Sequence, residues 1–441
     1  MYVSERYRIH GKDAQTIALG IEELVRTGAL PAGEPLPTVR GLAGELAVSP
    51  TTVAAAYRTL RDRGLVQGEG RRGTRVTGAR SDRARTAPAV PAGIRDLSSG
   101  APDPALLPRY GPFLRRLTSA PRLYERSSVL PALEEVLRLD IAADFGRAVA
   151  DPLAIVSGAL DGIERTLLSV LRPGDRVAVE DPGYANLIDL VAAAGLLAVP
   201  VIIDADGMTP ESLHRAVRAG VRAVVITPRA QNPTGASTSA GRRRDLRALL
   251  REHPGVLVVE DDHAAGIAGA PLHAVGPGLE RWVYVRSLSK AHGPDLRVAA
   301  LLGDPETVAH VTRRHRLGAG WVPLLMQELA AGLLADPAVA DRVRAAQAAY
   351  AARRDALLRA LDVRGIAATG RTGLNVWVPV ANESAAVTAL RDAGWAVGAG
   401  ERFRLRSAPA LRITVATLAP DEAQRVAAAV DAGQRQGTYA G

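Results

Sequence analysis

The sequence predicts a small, mostly helical N-terminal domain followed by a large α/β domain whose mostly parallel sheet is covered by helices. Helical patterns fill residues 1–76 and end in a short β segment punctuated by glycine. Residues 77–94 are rich in Ala, Pro and Arg and have no apolar period, which is typical of a linker. From 95 to 441, short β-branched runs alternate with helical stretches. Residues from about 340 to 441 are expected to form a smaller α/β subdomain.

Composition limits the classes of function. A chain of 441 residues is too long for one ordinary core, and the absence of cysteine excludes disulfides and thiolate sites. The N-terminal stretch lacks a signal-peptide pattern and no apolar run approaches bilayer length, so we expect a cytoplasmic protein without a membrane partner. The net charge of +9 suits a polyanionic partner but does not establish one.

Lysine is almost absent from the chain. Of 55 basic residues only Lys12 and Lys290 are lysines, and the others are arginines. Either residue type serves for surface charge, but only the primary amine of lysine can form an imine with a carbonyl cofactor. Lys12 is attributed to chance, whereas the sequence around Lys290 makes it a candidate for that chemistry.

The N-terminal domain contains a helix-turn-helix pattern. A first helix is expected at about Gln15–Thr27 and a second at Thr38–Leu46, with Thr38 as N-cap. Ser49 is expected to cap a third helix that has Pro50 at its first position, where a missing N–H costs nothing. The short second helix, the tight turn and the third helix together predict a DNA-binding motif.

A predicted β-wing follows at Leu65–Val76, where two short strands flank a Gly-rich turn. The whole module resembles the winged-helix domain of GntR-type repressors, through the stretch LPAGEPLPTVRGLAGELAVSPTTVAAAYRTLRDRGLV. Pro50 stands where that family usually has Arg. The resemblance and the wing pattern imply contacts to double-stranded DNA from Arg40, Ser49, Thr51, Thr52, Arg71 and Arg72. A winged helix that serves only in dimerisation or docking is the alternative.

The segment around Lys290 carries the clearest motif of the large domain. Ser287-Leu288-Ser289-Lys290, followed by Pro294 and Arg297, resembles the S-x-S-K-x-x-x-P-x-x-R stretch of fold-type I enzymes that use pyridoxal 5'-phosphate. The resemblance implies that Lys290 forms a Schiff base with the cofactor. It also implies that Ser287 and Arg297 hold the phosphate, the arginine through a charge-assisted pair.

Further motifs of that family occur in the expected order. Gly158, Ala159 and Leu160 open a helix after a short strand, where backbone amides can cradle a phosphate. Tyr184, in a DPGY motif, would stack on the cofactor ring, and Asn232, in NPTG, would hydrogen-bond its phenolic oxygen. Each motif taken alone is also compatible with an ordinary turn or a core residue.

Acidic residues at the end of an apolar strand complete the predicted cofactor site. The resemblance implies that Asp261 pairs with the pyridine nitrogen, which makes the ring an electron sink. His263 stands where the family usually has the Tyr that bonds the phenolic oxygen. These acids also suggest magnesium as an alternative, but we expect no metal. Arg412, in LRIT, is expected to bind an effector carboxylate, with Asn375 lining the same pocket.

A GntR-type winged helix, a linker and a fold-type I aminotransferase-like domain in one chain resemble the MocR-type regulators. The resemblance implies a homodimer, head-to-tail, with cofactor sites at its interface. Our hypothesis is a transcription regulator that senses pyridoxal phosphate or an amine-bearing effector through Lys290. The alternative is an aminotransferase with genuine turnover and an accessory winged helix, and a transamination half-reaction is compatible with both. A third interpretation is a large domain that has lost the cofactor and acts as a scaffold.

Overall fold

The structure is a computed structural model that describes residues 9–26, 29–31, 33–62, 65–68, 73–76, 90–117, 123 and 128–438. The chain divides into two compact units, one of Met1–Thr86 with Val191–Leu197 and one of Ala87–Leu190 with Ala198–Gly441. None of the helices within the described ranges combines the length and apolar character that crossing a bilayer requires.

The N-terminal unit contains the predicted winged helix-turn-helix. Its elements are α1 (Ala14–Arg26), α2 (Val39–Leu46), α3 (Pro50–Asp62), β1 (Val66–Gly68) and β2 (Thr74–Val76). The two strands pair antiparallel, as a wing requires. Helix α2 begins after Thr38, whose side chain accepts a hydrogen bond from the N–H of Gly41 at 3.1 Å. Helix α3 begins after Ser49, whose Oγ accepts from the N–H of Thr52 at 3.1 Å. Both caps are therefore formed as predicted.

Apolar side chains at helical spacing form the core of this unit. Ile17 and Ile21 of α1 are fully buried, as are Val53 and Leu60 of α3. The hydroxyl of Tyr57, also buried, donates to the carbonyl of Pro37 at 2.7 Å. This bond ties α3 to the turn that precedes α2, so the two helices of the DNA-binding motif are held together by packing and by one buried polar contact.

The second unit consists of a large and a small subdomain. Its strands are β3 (Arg95–Leu97), β4 (Leu153–Val156), β5 (Arg176–Asp181), β6 (Leu197–Asp204), β7 (Gly207–Met208), β8 (Val221–Ile226), β9 (Leu257–Asp262), β10 (Trp282–Ser287), β11 (Ala299–Gly303), β12 (Asn375–Pro379), β13 (Trp395–Ala399) and β14 (Ala410–Thr414). Its helices are α4 (Gly111–Leu114), α5 (Pro131–Phe145), α6 (Ala159–Val170), α7 (Ala185–Ala193), α8 (Pro210–Arg218), α9 (Ala240–Arg251), α10 (Ser289–His292), α11 (Pro305–Leu317), α12 (Leu324–Ala335), α13 (Pro337–Asp362), α14 (Glu383–Asp392) and α15 (Ala423–Thr438).

The large subdomain is built on an eight-stranded sheet of order β4-β11-β10-β9-β8-β5-β6-β7. Strands β5, β8, β9 and β10 pair parallel, whereas β11 and β4 add to one edge antiparallel. All six residues of β9 and of β10 are buried, as expected for strands covered by helices on both faces. In such sheets ligands bind at the carboxyl ends of the strands, and the predicted site residues lie there.

The small subdomain has a four-stranded sheet of order β12-β14-β13-β3. Its core contains Leu97, Leu357, Val378, Leu411 and Val426, which come from β3, α13, β12, β14 and α15. Strand β3 pairs parallel with β13 although it follows directly on the predicted linker. The sequence did not predict this strand, because it is only three residues long and two of them are charged.

Candidate cofactor and effector site

The polar residues predicted to form the site follow the parallel strands of the large sheet. Tyr184 follows β5, Asn232 follows β8, Asp261 lies near the end of β9, and Lys290 lies in the first turn of α10, directly after β10. Carboxyl ends of adjacent parallel strands meet at one edge of the sheet, so the fold brings together motifs that are up to about a hundred residues apart.

An anion cradle forms where α6 begins. Gly158, with φ of 93°, precedes the first residue of α6, and the Arg297 Nη2 atom donates to the Ser157 carbonyl at 2.5 Å. A Cβ atom on Gly158 would lie 2.7 Å from Nη2 of Arg297, and L side chains rarely adopt this φ, so a larger residue would strain the turn and displace the guanidinium. The helix N-terminus and the guanidinium together fit a phosphate group, as predicted for this segment.

Ala159 and Leu160 begin α6 at this cradle, and Ser287 is the last residue of β10. Ser287 is buried, and its Oγ accepts from the N–H of Ser289 at 3.3 Å. Ala159 and Leu160 are half-buried in the first turn of α6, where backbone N–H groups lack partners within the helix. Direct contact of these residues with a phosphate stays a prediction.

Asp261 has an unsatisfied acceptor inside the protein. Its side chain is buried, and among the described residues Oδ1 has no hydrogen-bond partner. Burial raises the pKa of Asp261 to about 7, and the neighbouring carboxyls of Asp262 and Glu180 act in the same direction. Buried acceptors without a partner are rare in folded proteins. A protonated pyridine nitrogen is a donor that would satisfy this one, so the residue fits the predicted cofactor.

Lys290 lies close to the N-terminal segment of the large domain. Its Nζ donates to the carbonyl of Gly100 at 2.5 Å. Burial lowers the pKa of Lys290 to about 8, helped by the positive charge of Arg412, while Asp261 opposes the shift. A lowered pKa raises the fraction of neutral amine near neutral pH, which is the form that attacks a carbonyl.

His263 is held by the backbone of a neighbouring loop. Its Nε2 lies 3.0 Å from the carbonyl oxygen of Ala230. A carbonyl only accepts, so Nε2 carries the hydrogen in this arrangement. Burial lowers the pKa of His263 to about 4, with Lys290 acting in the same direction, so the ring is neutral. The donor is therefore directed at Ala230, and contact between His263 and a cofactor stays a prediction.

Arg412 and Asn232 belong to one polar network. Nη1 of Arg412 donates to Oδ1 of Asn232 at 3.1 Å, and Nη2 donates to the carbonyl of Ser98. Its Cζ lies 4.4 Å from the ring centre of Phe403, and among the described residues its Nε has no hydrogen-bond partner. Burial lowers the pKa of Arg412 to about 10, with Arg402 contributing. A buried guanidinium bonded to neutral oxygens suits a carboxylate ligand.

Asn375 lines this network from β12. Its Nδ2 lies 3.5 Å from Oδ1 of Asn232, and its Oδ1 accepts from the hydroxyl of Thr414 at 2.9 Å. The hydroxyl of Thr414 also accepts from the N–H of Gly100 at 3.1 Å. The predicted proximity of Asn375 and Arg412 is thus present, and contact of either with an effector stays a prediction.

The carboxylate next to Asp261 lies in a different environment. Asp262 accepts from Arg229 Nη2 at 2.8 Å and from the hydroxyl of Tyr284 at 2.5 Å. Asp144, from α5, accepts from Arg229 at 2.6 Å and from Arg286 at 2.5 Å. Successive side chains of a strand point to opposite faces, so this ionic cluster and Asp261 lie on opposite faces of the sheet. Within the described part of the chain no group of three or more His, Cys, Asp or Glu is arranged to hold a metal.

Sequence reasoning missed several residues that shape the site. Gln231 and Glu180 lie one position before the recognised motifs, and Glu180 directly follows the apolar run at residues 177–179, which was an available signal. Phe403 and Ser98 gave no such signal, because their contacts with Arg412 depend on tertiary packing.

The predicted DNA contacts are exposed where the structure describes them. Arg40 and Thr51 are exposed and Thr52 is half-buried. The Ser49 Oγ atom lies 2.6 Å from Thr51 Oγ1 and 2.8 Å from Thr52 Oγ1, so the three hydroxyls form one cluster at the start of α3. Arg71 and Arg72 lie outside the described residues. These six contacts stay predictions.

Two family models match the chain. The model described as bacterial regulatory proteins, gntR family, matches residues 13–76, and the model described as aminotransferase class I and II matches residues 128–430. The chain is 42% identical to the vitamin B6 salvage pathway transcriptional repressor PtsJ of Salmonella typhimurium over 427 residues, which cover 95% of this chain and 98% of that protein. It is 28% identical to the pyridoxine biosynthesis transcriptional regulator PdxR of Corynebacterium glutamicum over 354 residues, covering 76% and 75% of the two chains.

Solved structures share the fold of the second unit. Kynurenine aminotransferase from Pyrococcus horikoshii has a TM-score of 0.72 at 21% identity, covering 81% of this chain and 96% of that one. An alpha-aminoadipate aminotransferase from Thermus thermophilus has a TM-score of 0.68 at 22% identity, covering 79% and 94%. The prediction of a fold-type I aminotransferase fold is confirmed.

Proposed function

The chain belongs to the MocR-type transcription regulators, in which a GntR-family winged helix is joined to an aminotransferase class I and II domain, and on this basis we propose that pyridoxal phosphate bound at Lys290 controls its binding to DNA. The observation that carries the proposal is that the site holds two complementary groups. Asp261 has a buried acceptor without a partner among the described residues, and the amine of Lys290 has a lowered pKa. The likeness to repressors and regulators of vitamin B6 genes supports the cofactor itself as the signal.

The residues present fit the cofactor at three points. Arg297 and the N-terminus of α6 would hold its phosphate, and Asp261 would accept a hydrogen bond from its protonated ring nitrogen. Tyr184 and Asn232 would contact the ring and its phenolic oxygen. When bound, pyridoxal phosphate supplies an aldehyde that condenses with a primary amine and releases water. Lys290 would supply that amine, since burial keeps part of it neutral.

Arg412 would allow the site to respond to a second ligand, one that carries a carboxylate. Its buried guanidinium donates to Ser98 and Asn232, both neutral partners that a carboxylate could replace with a stronger bond. An effector that carries both an amine and a carboxylate would therefore engage the Lys290 end and the Arg412 end of the site together. Such a ligand shifts DNA affinity only as far as it binds two conformations of the protein differently.

Two further features belong to the same proposal. The protein acts as a homodimer, head-to-tail, with groups from both chains at each cofactor site, as the family resemblance implies. Its DNA partner is a double-stranded operator read by α3 and approached by Arg40. The GntR-family domain supports DNA binding as such, and the exposed face of α3 supports the choice of element.

Genuine amino-group transfer is the second candidate function. The site holds a lysine amine, a carboxylate for the ring nitrogen and a buried guanidinium for a carboxylate, which are the groups that transamination needs. Steady release of a new amino acid from an amino donor and a 2-oxo acid would establish it. A single half-reaction without further turnover is compatible with regulation.

Covalent capture of the cofactor tests the first step. The protein is incubated with pyridoxal phosphate, reduced with borohydride, digested and analysed by mass spectrometry. We expect the added mass on the peptide that contains Lys290, and none there in Lys290→Ala. Lys12 is the only other lysine, so Lys12→Arg removes labelling at Lys12 and serves as the matched control. Label confined to Lys12 and the chain terminus would contradict the proposal.

A DNA-binding titration tests the regulatory step. Fluorescence anisotropy is measured on the promoter region upstream of the protein's own gene, with and without pyridoxal phosphate, at fixed salt. Wild type is expected to change its affinity when the cofactor is added, while Lys290→Ala keeps one affinity under both conditions. Wild type that captures the cofactor on Lys290 without any change in affinity would favour the enzyme over the sensor.

A further inference from the structure

We propose that Glu180 and Gln231 are positioning residues, and that their buried hydrogen-bonded pair sets the distance between the loop that carries Tyr184 and the loop that carries Asn232. This inference rests on the proposed function in that both loops belong to the cofactor site. The pair lies beneath the site, and neither residue is among those that the family resemblance places in contact with the cofactor.

Glu180 is a carboxylate enclosed by donors. Its side chain is 3% exposed at the end of β5. Oε1 accepts from the N–H of Thr227 at 2.9 Å, and Oε2 accepts from the Thr227 hydroxyl at 2.8 Å and from Gln231 Nε2 at 3.0 Å. Strands β5 and β8 are neighbours in the sheet, so Glu180 joins the end of one strand to the residues that follow the other.

Gln231 connects the two loops directly. It is fully buried, and its Nε2 donates to the carbonyl of Pro182 at 2.9 Å, two residues before Tyr184. Its Oε1 accepts from the N–H of Thr234 at 3.0 Å and from the Thr234 hydroxyl at 2.6 Å, two residues after Asn232. Together with the bond from Nε2 to Glu180, these contacts commit the hydrogen-bonding atoms of this side chain to Glu180, Pro182 and Thr234.

Each loop also has an outer anchor in the small subdomain. Asp181 accepts from the N–H groups of Leu405 and Arg406 at 2.9 and 2.8 Å, and the Thr372 hydroxyl binds Ala230 and Gly235 at 2.9 Å each. No other side chain in the described residues bonds both loops. The distance between the loops is therefore set by the Glu180–Gln231 pair and not by these contacts with the small subdomain.

The charge of Glu180 reaches the cofactor site as well. It is one of the carboxyls that raise the pKa of Asp261, the partner predicted for the ring nitrogen. Among the described residues Glu180 has no ionic partner, and burial raises its pKa to about 7. Replacing Glu180 by Gln is therefore expected to alter both the loop spacing and the protonation of Asp261.

Glu260 provides a matched control. It is equally buried, lies on β9 next to Asp261, and burial raises its pKa to about 7 also. Its oxygens accept from the N–H groups of Val275 and Gly276 at 2.8 Å each, in a loop outside the cofactor site. Glu260→Gln removes one buried carboxylate without touching either loop, so it separates a general loss of stability from a loss of positioning.

The first test measures hydrogen exchange on the full chain without cofactor. Glu180→Gln is expected to speed exchange about tenfold at the amides of Gly183, Thr234 and Ala236, because the new amide donor faces the Gln231 donor. Glu260→Gln is expected to speed exchange at Val275 and Gly276 only. Unchanged exchange in Glu180→Gln, or the same loops opening in both variants, overturns the proposal.

The second test measures binding of pyridoxal phosphate by equilibrium dialysis between pH 6 and pH 8, values that bracket the raised pKa of Glu180 at about 7. Glu180→Gln is expected to raise Kd about tenfold and change its pH dependence, while Glu260→Gln leaves Kd within about twofold. Equal losses in Glu180→Gln and Glu260→Gln overturn the proposal. Wild type that binds no cofactor refutes the proposed function, and the exchange data still decide on positioning.

Discussion

Two neighbouring carboxylates, Asp261 and Asp262, are equally buried on β9 and lie in opposite environments. Asp262 is bonded to Arg229 and Tyr284 and belongs to a saturated ionic cluster. Oδ1 of Asp261 has no partner among the described residues, and burial raises the pKa of this group. One face of the sheet therefore uses a carboxylate to hold the protein together, whereas the other has a carboxylate that we predict a ligand completes.

The largest expected effect concerns the saturated face. Asp262→Ala leaves the guanidinium of Arg229 and the hydroxyl of Tyr284 buried without their partner, and we expect unfolding to become easier by about 3–5 kcal/mol. Asp261→Ala should change stability far less, since among the described residues Oδ1 has no hydrogen bond to lose. Urea unfolding of both variants measures the difference. Equal destabilisation would show that the two faces do not differ in this way.

The ligand-facing side is tested by Asp261→Asn. The amide cannot provide the charge-assisted bond expected for a protonated ring nitrogen, and we expect affinity for pyridoxal phosphate to fall by about 1.5–3 kcal/mol. Folding stability should be unchanged or higher, because a buried group with a raised pKa is replaced by a neutral one. Equilibrium dialysis measures the affinity, and urea unfolding measures the stability. An affinity equal to that of wild type would show that Asp261 does not contact the cofactor.

Stability should depend on pH through the buried carboxyls. Burial raises the pKa of Glu180 and Glu260 from 4.5 to about 7, so the folded chain binds protons more tightly than the unfolded one. Their contribution is complete below about pH 4.5 and is lost as pH rises through 7. We expect Glu260→Gln to flatten the decline between pH 5 and pH 8 by on the order of 1–3 kcal/mol. Thermal unfolding across this range that is as steep as in wild type would contradict the assignment.

The smallest effect is expected at the winged helix, where one polar side chain is hydrogen-bonded within the protein and another is exposed to solvent. The Oγ atom of Ser49 caps α3 by accepting from the N–H of Thr52, whereas the side chain of Arg40 is exposed on α2. Arg40→Ala is expected to weaken DNA binding by about 1–3 kcal/mol, with no change in the free energy of unfolding. Anisotropy at matched salt measures the loss. Unchanged affinity would mean that Arg40 reads neither a base nor a buried phosphate.

The fold was largely predictable because its signals are local. Alternating β-branched runs and helical stretches predicted a mostly parallel sheet covered by helices, and strands β5, β8, β9 and β10 pair parallel in the large subdomain. The caps at Thr38 and Ser49 followed from residue type and spacing alone. Strand β3 was missed, because three residues with two charges carry no periodic signal.

The predicted site was limited by what motifs can show. Motifs indicated Lys290, Asp261, Asn232 and Arg412, because each lies in a short recognisable sequence pattern. They did not reveal the ring of Phe403 against Arg412, because such contacts join distant segments through packing. The arrangement in which His263 faces Ala230 also depends on a loop conformation that composition does not encode.

Strand β3 anchors the end of the predicted linker. Residues 95–97 pair with β13, and an ion pair of 3.0 Å joins Arg95 to Glu422. One residue beyond the strand, the carbonyl of Ser98 accepts from Arg412. A carboxylate that replaced Ser98 as the partner of Arg412 would therefore act directly beside the strand that holds this end of the predicted linker.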